Sequence, residues 1–234
     1  MRDRDIYYSG DELMAQHSYS KIKAFEGCPR KYYEENVIKI HKREDTEATL
    51  YGTALHEQAE LFIKDKRPVD DSYKFVQPTL DALENMPGRK FAEREMALTE
   101  ALTPCDFKAP EFWTRGIADL VVVDDDNLTA RVFDYKTGGD KYPDTDQLML
   151  MALMVLKHEP HIRSVTGGLL FVLKGTVVKY AMTREQEAEL WWKWRERVAR
   201  LDAAIHHDRW PMKPNGLCRK YCPCTSCEHN GRRK

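Results

Sequence analysis

No apolar run in this chain approaches the ~18 residues that a membrane-spanning helix requires, and the N-terminal stretch MRDRDIYYSG is polar. These absences predict a soluble, cytoplasmic protein. Net charge is nearly absent too: 37 Lys and Arg offset 38 Asp and Glu, for a formal charge of -1. No global basic field can steer a polyanion, so any contact with nucleic acid must come from a local patch. The chain also lacks internal repeats, low-complexity linkers and any G-x-x-x-x-G-K-[ST] loop, which excludes a nucleotide-driven motor of that type. What is present is 234 residues, 42% of them apolar, enough for one sizeable core and too many for a disordered chain. A single domain over residues 1–234 is expected.

Local patterns order the chain. Ser18-Tyr19-Ser20 ahead of KIKAFEG predicts an N-capped helix from about Ser20 to Phe25, broken by Gly27 and Pro29 around Cys28. Residues 49–65 place Leu55, Ala59, Leu61 and Phe62 at helical spacing before Arg67-Pro68, and a further helix falls near 72–85. The period then changes. Segments 90–98, 112–123, 130–136, 164–173 and 176–182 are β-branched or alternating and read as strands. Between the third and fourth lies a strongly apolar helix, 144–158. A last helix, 184–208, carries Leu190, Trp191, Trp194, Val198, Leu201 and Ile205 on one stripe, with Trp192 facing away. This order predicts a mixed α/β core with a central sheet.

Asp124-Asp125-Asp126-Asn127 separates two strands and favours a tight turn. A turn centred between Asp126 and Asn127 pairs residues whose numbers sum to 253, which sets Asp119 opposite Asp134. Alternation then gives Lys136 the same face as Asp134. One more or one fewer loop residue would put the two carboxylates on opposite faces. Both lie in apolar surroundings, GIADLVVV and RVFDYK. Like charges so placed are costly unless a proton or a cation intervenes, and a hard divalent ion with oxygen ligands fits.

Cys28-Pro-Arg-Lys-Tyr-Tyr33, Gly52-x-x-x-His56, Gly116-Ile-Ala-Asp119, Asp134-Tyr-Lys136 and a helical Gln147 resemble, in order and spacing, the motifs of the RecB-like branch of the PD-(D/E)XK nucleases. That branch includes nuclease modules of helicase-nucleases and CRISPR-associated nucleases of spacer acquisition. The resemblance runs from about residue 18 to residue 229. It implies a restriction-endonuclease-like core, with a mixed sheet flanked by helices. His56, Asp119, Asp134 and the backbone carbonyl of Tyr135 would hold Mg²⁺ or Mn²⁺, with the imidazole favouring Mn²⁺. Lys136 would orient or deprotonate the attacking water, and Gln147 would position Lys136 or the substrate. Glu95 is a weaker candidate, supporting the site or simply solvated. The branch often carries Tyr four residues after the Gln; here that residue is Met151.

Of six cysteines, Cys218, Cys222, Cys224 and Cys227 fall within ten residues, while Cys28 and Cys105 stand alone. In a reducing compartment such crowding reads as metal ligation before disulfides. Two arrangements are open. The four could clip one structural Zn²⁺, or, as the resemblance implies, Cys28, Cys218, Cys222 and Cys227 hold a [4Fe-4S] cluster, with Cys224 as a substitute ligand. The cluster would tie segments 20–33 and 214–229 together and so join the two ends of the chain. Cys105 reads as a plain loop or buried thiol. Arg30, Lys31, Arg219 and Lys220 are the better candidates for phosphate contact.

Together these features predict a metal-dependent DNA exonuclease acting on single strands or frayed ends. Recombination, repair, DNA degradation or CRISPR adaptation, in phage or host, would suit a short chain without a motor, with recombination or replication proteins as partners. A structure-selective endonuclease and a non-catalytic iron-sulfur DNA-binding scaffold are the rival readings.

Overall fold

A computed structural model describes residues 6–9, 12–41 and 45–232. Two compact units make up the chain: Asp45–Trp194, and Met1–Glu44 together with Arg195–Lys234.

The larger unit is built on a six-stranded sheet of order β4-β3-β5-β6-β7-β8. Its strands are β3 (Arg89–Leu98), β4 (Pro104–Cys105), β5 (Thr114–Asp124), β6 (Thr129–Lys136), β7 (Ser164–Phe171) and β8 (Thr176–Thr183). All neighbours are antiparallel except β6 and β7. A parallel pair needs a crossover, and α5 (Asp146–His158) supplies it. Every residue of α5 from Leu148 to Leu156 is buried, as expected of a helix apolar on all sides. It lies close enough to β7 that a Cβ on Gly167 would sit 3.3 Å from Leu148 Cδ1.

Helix α3 (Glu47–Asp65) starts at Thr46, whose hydroxyl accepts the Thr49 N–H at 3.2 Å, and ends on a left-handed Lys66. A 3₁₀ turn (Asp71–Val76) leads into α4 (Gln77–Glu84). Leu55, Ala59 and Ile63 of α3 and Leu80 and Leu83 of α4 pack on Leu120, Val122, Phe133, Tyr135 and Leu170 of the sheet. Gly88 lets the chain enter β3: at its φ of +117° a Cβ would strike the Val123 carbonyl at 2.5 Å.

The smaller unit opens with a hairpin, β1 (Ile6–Ser9) and β2 (Glu12–Ala15), that the sequence pattern did not announce. Helix α1 (Tyr19–Gly27) is capped by Ser18, whose hydroxyl accepts the Lys21 N–H, so it begins a residue before the expected Ser20. Pro29 at the first position of α2 (Pro29–Tyr32) suits a helix start. A π-helical turn, Tyr33–Val37, follows directly. Helix α6 (Glu187–His206) crosses the division between the units. Trp191 and Trp194 are buried in the stripe the spacing predicted, and Trp192 is 59% exposed. Among the described residues, no helix is long and apolar enough to cross a membrane.

Candidate active site

The β5–β6 ladder pairs Leu120 with Phe133 and Asp124 with Thr129, the register in which residue numbers sum to 253. Its last rung is Leu120–Phe133. Beyond it the strands part, and the Asp119 carboxylate accepts the backbone N–H of Tyr135 at 2.7 Å in place of a rung. The fork exposes polar backbone inside an otherwise apolar sheet, and the site is built there. From α3, His56 Nε2 donates to the Tyr135 carbonyl at 3.0 Å, while its Nδ1 lies 3.3 Å from Asp119 Oδ2. Lys136 Nζ pairs with Asp134 Oδ2 at 2.6 Å and donates to Gln147 Oε1 of α5 at 3.0 Å. Asp119, Asp134, Lys136, Gln147, His56 and the Tyr135 carbonyl are thus brought together.

A further acid joins them that the sequence reading missed. Glu93 lies on β3 where the β3–β5 ladder is interrupted, between the Ala92–Leu120 and Arg94–Ala118 rungs, and its Oε1 lies 3.9 Å from His56 Nδ1. Its φ is +47°, a backbone state that costs a non-glycine residue about 1–3 kcal/mol and gathers at functional sites. The kink upsets strand alternation, so Arg94 comes over the ring of Phe91 at 4.3 Å, three residues away. Glu95, the weaker sequence candidate, is exposed. Nothing in residue type marks a left-handed glutamate; the one signal in the sequence is the acid spacing Glu93-x-Glu95.

Electrostatics describe a site short of positive charge. Burial first, then the nearby Asp119 charge, push the Glu93 carboxyl up to about 7. Burial and Asp119 likewise raise Asp134 against the opposing pull of Lys136. For His56, burial works against the charged form, but Asp119, the Tyr135 carbonyl and Asp134 outweigh it and lift the imidazole to about 9. Ligand atoms of His56, Glu93 and Asp119 lie within 4.8 Å of one another. Hard carboxylate oxygens and one imidazole, mutually repelling when charged, fit a divalent cation such as Mg²⁺ or Mn²⁺.

Beside the acids a groove of about 640 Å³ runs along α3, lined by Ala48, Thr49, Gly52, Thr53, His56, Glu57, Glu60, Glu93 and Thr137. Its α3 wall changes from small and hydroxyl side chains at 48–53 to carboxylates at 57–60. Met151 is buried at 3%, and a Cβ on Gly116 would overlap its terminal methyl. Its position serves packing between α5 and β5.

A second pocket, in the smaller unit, is lined by Cys28, Cys218, Cys222, Cys224 and Cys227 with Arg30, Lys31, Met212, Lys213, Pro214 and His229. All six cysteines are free of disulfides. The Asn215 N–H points at Cys218 Sγ at 3.3 Å, the kind of contact that stabilises a thiolate. The tail folds tightly: a Cβ on Gly231 would strike the Arg219 carbonyl at 2.7 Å. Five thiols, a backbone donor and three rim cations fit a thiolate-ligated metal or cluster. Cys105 is half-buried on β4.

Two of the four expected phosphate-binding cations already have partners. Arg30 Nε lies 2.6 Å from Glu34, and Lys31 lies 3.6 Å from Glu35. Arg197 and Arg200 hold Glu26, and Arg184 caps the carbonyls of Leu156, Glu159 and Ile162. Arg219 and Lys220 make no ion pair among the described residues.

A family model described as the PD-(D/E)XK nuclease superfamily matches residues 16–228. No curated protein matches the chain. Among solved structures, a Eubacterium rectale protein described provisionally as an exonuclease is 14% identical, covering 86% of this chain and 91% of that one at a TM-score of 0.44. The protein SSO0001 is 13% identical, covering 96% of this chain and 89% of its own at a TM-score of 0.42.

Proposed function

Because the chain belongs to the PD-(D/E)XK nuclease superfamily, we propose that it is a divalent-metal-dependent DNA exonuclease of the RecB-like branch, working on single strands or frayed ends. The observation that carries this reading is the fork between β5 and β6, where Asp119, Asp134 and Lys136 converge with His56. His56, Asp119, Asp134, Glu93 and the Tyr135 carbonyl would hold Mg²⁺ or Mn²⁺, which when bound neutralises phosphate charge and acidifies water. Lys136, fixed between Asp134 and Gln147, orients the attacking water and donates to the phosphate as charge builds in the transition state. Gln147 keeps the ammonium in place. The α3 groove supports an end-directed mode. A strand lies readily along Thr49 and Thr53, whereas Glu57 and Glu60 repel phosphates beyond the site.

The cysteine pocket supports a [4Fe-4S] cluster on Cys28, Cys218, Cys222 and Cys227. The participation of Cys28 favours it over a Zn²⁺ clip confined to the tail. Its role is structural, since it would tie Cys28 to three ligands clustered about 190 residues further along the chain. Recombination, repair or DNA-degradation work fits a nuclease without a motor.

Digestion of end-labelled linear and covalently closed single strands with Mn²⁺ tests the mode. Linear strands should be degraded and circles spared. Cleavage of circles at a similar rate would make the enzyme an endonuclease. No Mn²⁺-dependent cleavage of either would leave only a DNA-binding scaffold.

A further inference from the structure

Glu34, on the π-helical turn, is a carboxylate with 0% exposure. A buried charge is tolerated only when hydrogen bonds surround it, and three donors do so here. Arg30 Nε lies at 2.6 Å and His41 Nε2 at 2.9 Å, and the third donor is the thiol of Cys224. The ligand atoms of Glu34, His41 and Cys224 lie within 4.8 Å of one another. With Arg30 on the carboxylate, this trio is a hydrogen-bonded hub and not a cation site. Cys224 is 1% exposed, unlike the four partly exposed cysteines that share its pocket. Its backbone is fixed as well. Its carbonyl accepts from Asn230 Nδ2 at 3.0 Å and from the Cys227 N–H at 3.1 Å. What remains free is rotation of the side chain, and the thiol is shared between Glu34 and the neighbouring Cys222 sulfur.

We propose that Glu34 is a positioning residue for the cysteine pocket: it accepts the Cys224 thiol, holds that sulfur off the metal group, and fixes Arg30 at the pocket's rim. This rests on the cluster reading above and gives Cys224 a role other than that of substitute ligand. The fifth cysteine is an anchor by which the tail grips the π-helical turn. Release of that anchor would let Cys224 compete with Cys222, two residues away.

Iron and acid-labile sulfide counts, with electron paramagnetic resonance of the dithionite-reduced full chain purified without oxygen, test the proposal. The wild type should carry about four irons. Cys224→Ser and Cys224→Val should keep that count and the same spectrum. Cys222→Ser should lose iron, and Cys222→Ser/Cys224→Ser should lose no more. Glu34→Ala should give a mixed spectrum that Glu34→Ala/Cys224→Ser restores to a single species. Rescue by removing a cysteine is a result that a merely structural Glu34 would not produce. Loss of iron in Cys224→Ser equal to that in Cys222→Ser would overturn the proposal, whether or not the Glu34 variants fold. So would iron retained by Cys222→Ser and lost only in the double variant. A wild type holding zinc and no iron would instead refute the cluster reading, and zinc counts across the same variants would then judge the role of Glu34.

Discussion

Glu93 and Lys136 show how single side chains set the chemistry. Lys136 has two fixed contacts, Asp134 at 2.6 Å and Gln147 at 3.0 Å, which leave its ammonium little freedom. Lys136→Ala should lower the cleavage rate by about 10²- to 10⁴-fold, the range usual for removing a group that positions or transfers a proton. Circular dichroism should be unchanged. Gln147→Ala, which frees the ammonium on one side, should cost less than Lys136→Ala. Glu93→Gln removes a carboxylate from the shell around His56 and should weaken Mn²⁺ binding by roughly 10- to 100-fold, as loss of a supporting ligand group does; calorimetric titration reads it directly. Unchanged Mn²⁺ affinity would remove Glu93 from the site. Asp119, Asp134 and Lys136 stood out in the sequence through the turn register and their apolar surroundings, and His56 only through its place in the ordered motifs. Glu93 did not, because a left-handed kink leaves no mark on residue type. Neither did the grip of Glu34 on Cys224, which joins positions 190 residues apart.

Helices and strands were legible where one period ran unbroken. The β5–β6 register followed from the acidic turn and from alternation, and every rung sums to 253. Apolar content alone located α5, since nine consecutive buried residues need no amphipathic stripe. Leu153, wholly buried at the middle of that helix, should cost about 2–5 kcal/mol as Leu153→Ala. Urea unfolding measures it, and a loss below about 1 kcal/mol would mean that α5 is not the packed layer described here. Elements shaped by long-range contacts stayed hidden. The β1–β2 hairpin, the two-residue β4 and the π-helical turn are too short for periodicity to register. The helix expected over 72–85 splits into a 3₁₀ turn and α4 because Pro78 sits at the start of the regular helix.

At the scale of the whole molecule, near-neutral charge conceals an acidic fork whose stability must depend on pH and metal. Glu93 titrates at about 7 when folded against an ordinary 4.5, so unfolding is favoured increasingly as pH rises through that window. The stabilisation from His56, about 9 when folded against 6.5, is complete below 6.5 and is lost as pH rises toward 9. Both signs agree. With EDTA the melting temperature should fall from about pH 5 to 9, and Mn²⁺ should flatten or reverse the trend, because cation binding replaces the protons that the fork sheds. A melting temperature that rises with pH in EDTA would contradict the charge balance of the site. The most direct test of the central claim is release of nucleotides from end-labelled single-stranded DNA with Mn²⁺, comparing the wild type with Lys136→Ala and Asp119→Ala. Metal-dependent release by the wild type and its near-complete loss in both variants is the predicted result. Variants that digest DNA at the wild-type rate would show that the fork between β5 and β6 is not the active site.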